Sequence, residues 1–401
     1  MNRPDLQLQR LHSFFRLWFL VNLLFFGYLY LIILLVRGHT SLTPPVNDFV
    51  RFWAASTLTL AGNPAGAYSL PLIKAVVQAV SGWDPPSVAP YPPTFLLLIL
   101  PLALMPYQLS LAVWQGLTLG GYLLLMRRIA PHPLTPWLFL GFPAIFLNIS
   151  YGQNGLLSTV LLGGGLLLAE YHPLAGGGLL GLLTYKPQLA WLIPLALAAG
   201  RRGRTLGGML SAAAGLALAT LWAFGPDTWI AFLKSLSGVV QYADQPVLWR
   251  KMPTIYAAAR LAGAGLAGAM ILQGLAAAAA GAAVLWVWAR GAPLAWRAAV
   301  LTLGILLATP YAFEYDLALL SLPFAFLGWE EYRQGRQSGQ AFLIFCWLAF
   351  YQAQLLAEKH IPANPLILVA LLAFVLYRTA VLKVPPPAYL EEKGCLPISQ
   401  S

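Results

Sequence analysis

Asp48 lies in the run Pro44-Pro45-Val46-Asn47-Asp48-Phe49-Val50-Arg51-Phe52-Trp53, between a long apolar stretch and an amphipathic one. A carboxylate beside hydrocarbon-facing sequence is costly unless it is paired or used. One held ionised within reach of a hydroxyl can serve as a general base. The same position, just ahead of a helix, also suits an N-cap, and the residues alone leave both readings open. Arg51, three positions on, shares a helix face with Asp48 and can hold the carboxylate ionised or meet a phosphate. Lys186 interrupts an apolar stretch at Lys186-Pro187. A lysine there lines a cavity, pairs with an anion, or snorkels to an interface.

Further candidates share the pattern of a polar group at the end of an apolar run. Arg250 and Lys251 follow Trp249 and can bind a phosphate or a lipid headgroup. Gln153 and Asn154, in Tyr151-Gly152-Gln153-Asn154-Gly155, can hydrogen-bond a sugar or cap a helix. Glu314 and Asp316 sit in Phe313-Glu314-Tyr315-Asp316. Trp53, Tyr91, Trp249 and Tyr311 suit sugar or prenyl contacts, although membrane-interface belts use the same residues. The five histidines have no metal-ligand spacing and no Asp-x-Asp pair occurs, so no metal or other cofactor is expected. Cys346 and Cys395 are too few and too far apart for a disulfide framework.

The elements that must hold these residues are apolar helices. Of 401 residues, 59% are hydrophobic and 9% charged, against about 25% charged in a soluble domain. The +11 charge is scattered between apolar runs, never a basic run with interleaved aromatics, which argues against a nucleic-acid partner and for topology signals. Candidate spans are 14–36, 107–126, 133–149, 155–169, 205–224, 264–289, 298–313, 317–329, 340–357 and 362–380. The first, with Arg3 and Arg10 before it and Arg16 in its first turn, and followed by no small-residue cleavage site, reads as a retained helix.

Placing Arg127, Arg128, Arg201, Arg202, Arg204, Arg290, Arg297, Arg333, Arg336 and Arg378 in the cytoplasm makes 174–199 a broken hairpin with Lys186 at its outer tip. It also gives about twelve crossings, cytoplasmic termini and a cytoplasmic tail over 381–401. The expected architecture is one all-α polytopic domain, with spans over 107–224 and 264–380 and outward loops over 37–106 and 225–263. Helices over 49–60, 70–80 and 229–240 are amphipathic enough to lie in the interface. This topology puts Glu170, Glu330 and Glu331 inside as solvated charges and Asp48, Asp84, Asp244, Glu314 and Asp316 outside.

Asn47-Asp48-Phe49, Gly62-Asn63-Pro64 with Tyr68, Tyr91-Pro92-Pro93-Thr94-Phe95, Tyr151-Gly152-Gln153-Asn154-Gly155, Tyr185-Lys186-Pro187-Gln188 and Thr309-Pro310-Tyr311 follow one another in an order that resembles glycosyltransferase family 87. The resemblance runs from about the first span to about Leu327. It implies a GT-C membrane fold in a bacterial inner membrane, with the active site facing the periplasm or exterior. It implies a sugar donor carried on polyprenyl phosphate, often mannose, and a glycolipid or glycan acceptor beside membrane lipids. Asp48 matches the aspartate that deprotonates the acceptor. Lys186, Arg51, Arg250 and Lys251 would then meet the donor phosphate, and Asn47, Trp53, Tyr91, Gln153, Asn154, Gln188, Tyr311, Glu314 and Asp316 the sugar or acceptor. Mycobacterial members carry histidine after the late Ser/Thr-Pro, whereas this chain has Glu314 and Asp316. The competing reading is a transporter or flippase for a lipid-linked sugar, for which the inverted repeats common in transporters are missing from the sequence.

Overall fold

A computed structural model of the protein describes residues 17–21, 23–24, 48–359 and 361–381. Asn47, most of the expected first span and all but the first residue of the tail expected over 381–401 lie outside the described residues. The described chain is helical without strands. Among the described residues, four helices are long and apolar enough to cross a membrane: Tyr107–Ile129, Gly203–Ala243, Leu266–Ala289 and Asn364–Val381. Gly155–Ala169 and Leu294–Ala308 are apolar but shorter. The run expected as one span over 133–149 is two helices, Thr135–Leu140 and Pro143–Tyr151, because Pro143 can start a helix but not continue one.

Leu294–Ala308 is the centre of the bundle, with every side chain from Trp296 to Ala308 buried, as an all-round apolar helix requires. The expected span 205–224 and the expected amphipathic helix 229–240 lie on one element, Gly203–Ala243, bent at Gly225-Pro226. Gly225 takes φ 74, ψ 165, a conformation that side-chain-bearing residues avoid, and Pro226 supplies no amide for the helix. Helix Leu70–Ser81 keeps an exposed face and buries only Ile73, Val77 and Ser81. Helix Phe49–Leu60 does not: Phe49, Val50, Phe52, Ala54 and Ala55 are all buried. Rings of Phe95, Tyr107 and Trp114 cover it, so this helix is part of the core rather than an element resting on its surface.

The 174–199 segment breaks where Lys186-Pro187 predicts. Helix Pro173–Leu182 tightens into a 3₁₀ turn, Leu183–Tyr185, and the chain restarts as Pro187–Ala190 and Leu192–Ala199. Lys186, at φ −131, ψ 72, is held out of the helical region by the proline that follows it. The two arms return to one end, since Glu170 before the first meets Arg202 after the second at 3.4 Å and Arg297 at 3.1 Å. Arg336 and Arg378 meet Glu331 at 2.8 and 2.7 Å. The contact of Trp296 with Phe374 joins this group to the first. Glu170 and Glu331 are therefore ion-paired rather than merely solvated, and Glu331 is fully buried. Its helix turns it inward, where two arginines reach it. Lys186 lies at the other end of the hairpin.

Candidate active site

The turn Tyr151-Gly152-Gln153-Asn154 joins helices Pro143–Tyr151 and Gly155–Ala169 at the Lys186 end. Gly152 takes φ 62, the left-handed conformation that ends the first helix. Gly155 lets the second start hard against the segment after Tyr311, because a Cβ there would fall 2.3 Å from the Tyr315 carbonyl oxygen. The Asn148 amide, with its oxygen and nitrogen exchanged, donates to the Gln153 carbonyl at 3.0 Å and accepts from the Gly155 amide at 2.8 Å. Gln153 and Asn154 are thus fixed in the backbone and buried.

Around this turn is a cavity of about 220 Å³. Its wall includes Asp48, Arg51, Tyr91, Gln153, Lys186, Gln188, Lys251, Tyr311, Glu314 and Asp316. Residues up to 268 positions apart in the chain, Asp48 and Asp316, meet here, each brought by a different element. Asp48 precedes helix Phe49–Leu60 but its side chain makes no capping bond to it. Instead Oδ1 pairs with Arg51 Nη2 at 2.7 Å and Oδ2 accepts from Gln153 Nε2 at 2.9 Å. Of the two readings of Asp48, the N-cap lacks its hydrogen bond. Arg51 also donates to Ser87 Oγ at 3.1 Å. Burial opposes its charge, but Asp48 and the surrounding tyrosines outweigh burial and raise its pKa.

Lys186 forms an ion pair with Asp316 and donates to Asn154 Oδ1 at 2.9 Å. Both side chains of the pair are 2% exposed. Asp316 and Asn154 therefore take two of the three lysine donors, and Asp316 also accepts from the Phe313 amide at 3.1 Å. Glu314 accepts from Tyr151 Oη at 2.7 Å, and its amide donates to the Lys251 carbonyl at 2.9 Å. Lys251 Nζ lies 5.4 Å from the centre of the Tyr151 ring. Among the described residues no carboxylate pairs with Lys251. Burial, with Asp316 adding to it, holds the Tyr91 phenol well above its ordinary value, so Tyr91 is a neutral donor.

Four expected residues stand elsewhere. Trp249 and Arg250 are off the cavity wall although their neighbour Lys251 is on it, and the centre of the Trp249 ring lies 4.4 Å from the Arg260 guanidinium. Trp53 is also off the wall and donates to the Met105 carbonyl at 3.0 Å, a structural anchor. Asn154 is behind the wall, holding Lys186. Asp84 and Asp244 are taken by Lys74 at 2.8 Å and Arg260 at 3.4 Å. Sequence reasoning missed Ser87 and Tyr151 as cavity residues. Nothing in Pro85-Pro86-Ser87 marks the serine, whereas Tyr151 adjoins the Gly152-Gln153 turn and was legible there. Tyr68 and Asn63 are supports: Tyr68 Oη donates to the Tyr91 carbonyl at 3.0 Å and Asn63 caps Gly66 at 3.0 Å. Among the described residues, no cluster of three or more His, Cys, Asp or Glu suits a metal ion.

The model of glycosyltransferase family 87 matches residues 90–310, more than half of the chain. The chain belongs to that family. It is a membrane glycosyltransferase, acting on a sugar donor and an acceptor. Comparison with curated proteins and with solved structures gives no match. The family 87 match is narrower than the resemblance read from the motifs. It takes in Tyr91, Gln153, Asn154, Lys186, Gln188, Arg250 and Lys251, but begins after Asp48 and Arg51 and ends before Tyr311, Glu314 and Asp316. What joins those outer residues to the matched ones in this glycosyltransferase is the cavity itself.

Proposed function

We propose that this family 87 glycosyltransferase moves a sugar, a mannose-like hexose or a pentose, from a polyprenyl-phosphate carrier to a hydroxyl of a glycolipid or glycan, with inversion. Asp48 takes the proton of the acceptor hydroxyl as its oxygen attacks the anomeric carbon. The bond from that carbon to the phosphate oxygen breaks, and its electron pair leaves on polyprenyl phosphate. Lys251 and Arg51 meet the charge that develops there. The observation that carries this reading is the Asp48 carboxylate, which caps no amide of the helix it precedes and lines a cavity that also holds a lysine with no carboxylate partner among the described residues. Tyr311, Gln188 and Glu314 on the same wall are the groups proposed to contact the sugar or acceptor.

The decisive experiment supplies purified protein with a panel of radiolabelled polyprenyl-phosphate sugars and a crude membrane lipid extract. Label from at least one donor should enter the lipid fraction, and no transfer from any would overturn the reading. Replacing Lys251 by Ala should raise the donor KM about tenfold with little change in melting temperature, since a charge-assisted bond to a phosphate is lost from a half-buried side chain. An unchanged donor KM would assign Lys251 to lipid headgroups.

In this reading the cavity opens at the outer face of the bacterial inner membrane, in a GT-C-type domain of about twelve crossings. The end bearing Arg202, Arg297, Arg336 and Arg378 then faces the cytoplasm. Accessibility tags at residue 202 and at the C-terminus should report cytoplasmic, and tags near residues 80 and 244 external. A periplasmic signal at residue 202 would invert the whole assignment.

A further inference from the structure

Gln153 has the residue type and position of a sugar ligand, yet its side-chain amide is already engaged on both sides. Its Nε2 donates to Asp48 Oδ2 at 2.9 Å, and its Oε1 accepts from Tyr91 Oη at 3.4 Å. The two bonds are complementary. A carboxylate can only accept from the amide, and the neutral Tyr91 phenol can donate, so the amide has one orientation that satisfies both neighbours. Gln153 is 3% exposed and Tyr91 5% exposed, so water does not compete freely for either group. The Gln153 backbone is clamped as well, by its amide to the Asn148 carbonyl at 3.0 Å and by the Gly152 turn.

Asp48 needs such a clamp. Arg51 Nη2 holds Oδ1 alone, and a carboxylate held at one oxygen can swing about its Cβ–Cγ bond. Gln153 holds the other oxygen from a different element, so the carboxylate plane is fixed at both ends while lone pairs remain for a hydroxyl in the cavity. Precise placement of an acid–base group is where an enzyme loses rate when a supporting residue is removed. Asn154, the next residue, serves the second ion pair through Lys186, so one turn supports both.

We infer that Gln153 is the positioning residue of Asp48, oriented by Tyr91, and does not bind the sugar. The inference rests on the reading of Asp48 as the base. It separates from a ligand role by where the loss appears. A sugar ligand lost from Gln153 would raise KM, whereas a lost clamp lowers kcat at nearly constant donor KM.

The test uses the full-length protein in detergent and the polyprenyl-phosphate sugar of the panel that the wild type turns over. Gln153→Met, which keeps length and removes both bonds, should lower kcat about tenfold, the scale of a hydrogen bond to a charged group. Gln153→Glu, which keeps the shape and the acceptor for Tyr91 but opposes Asp48, should lower it at least as much. Tyr91→Phe should cost less, and should add little on top of Gln153→Met, because the hydroxyl reaches Asp48 through the amide. A raised KM with unchanged kcat, or fully additive Tyr91 and Gln153 effects, would overturn the inference. Asp48→Asn run in parallel separates the two levels. If it abolishes transfer while both Gln153 variants keep full kcat, only the clamp fails. If it leaves transfer intact, or if the wild type turns over no donor, the base reading fails and the clamp with it.

Discussion

Lys186→Ala is expected to destabilise the fold by about 3–5 kcal/mol, the cost of removing one partner from a buried ion pair. The substitution would leave the Asp316 carboxylate 2% exposed, with the Phe313 amide as its remaining hydrogen-bond donor among the described residues. It would also remove the donor to Asn154 Oδ1, on a residue that is fully buried. Lys186 sits at the tip of the broken hairpin and Asp316 in the 3₁₀ turn Glu314–Leu320, so the pair is the tie between two walls of the cavity. Activity should fall as a consequence of that loosening. A role as a donor-phosphate ligand, as the motif suggests, predicts the reverse order: lost donor affinity in a protein that melts normally. The measurement is the melting temperature of purified Lys186→Ala beside Asp316→Leu and the combined Lys186→Met/Asp316→Leu. Both single variants should melt well below wild type, and the combined one should recover a large part of the loss, since two apolar groups leave no buried charge behind. A wild-type melt for Lys186→Ala together with lost donor binding would return the lysine to the ligand role.

The difference between those two expectations shows what the sequence carries. The break at Lys186-Pro187 is a local property, set by a ring that forbids a helical hydrogen bond, and it is where the structure has it. The bend at Gly225-Pro226 and the helix starts at Phe49 and Leu70 are local in the same way. Pairing is not. Lys186 meets Asp316 across 130 residues and Gln153 meets Asp48 across 105, and no spacing rule selects those partners from the other charges on that side. Arg250 and Lys251 are neighbours with the same charge, and only the direction of the chain after Pro246–Trp249 puts one on the wall and the other off it. The amphipathic face of Phe49–Leu60 was legible, but what covers it was not. Its rings meet Phe95, Tyr107 and Trp114, residues of later elements, so a helix that looks fit for an interface is a core helix.

Asp48→Asn should lower turnover about a hundredfold or more, because the amide keeps the size of the carboxylate but cannot take a proton from the acceptor hydroxyl. Binding of the donor should survive, since the substitution removes no cation from the cavity. Melting should fall as well, because the amide leaves the Arg51 guanidinium, 11% exposed, without its counter-charge. The competing N-cap role makes a distinct prediction. Asn caps a helix as well as Asp does, so a capping Asp48 would make the substitution nearly silent in both turnover and melting. The geometry already disfavours that outcome, as the Asp48 side chain caps no backbone amide of the helix it precedes and reaches that helix only through the Arg51 side chain. Transfer and donor binding measured on one preparation of Asp48→Asn, eluting as a single species in detergent, decide between them. Retained transfer would remove Asp48 from the chemistry and would leave the carboxylates on the far wall, Glu314 and Asp316, as the remaining acids of the cavity. Asp316 is committed to Lys186, so the search for a base would then move to Glu314.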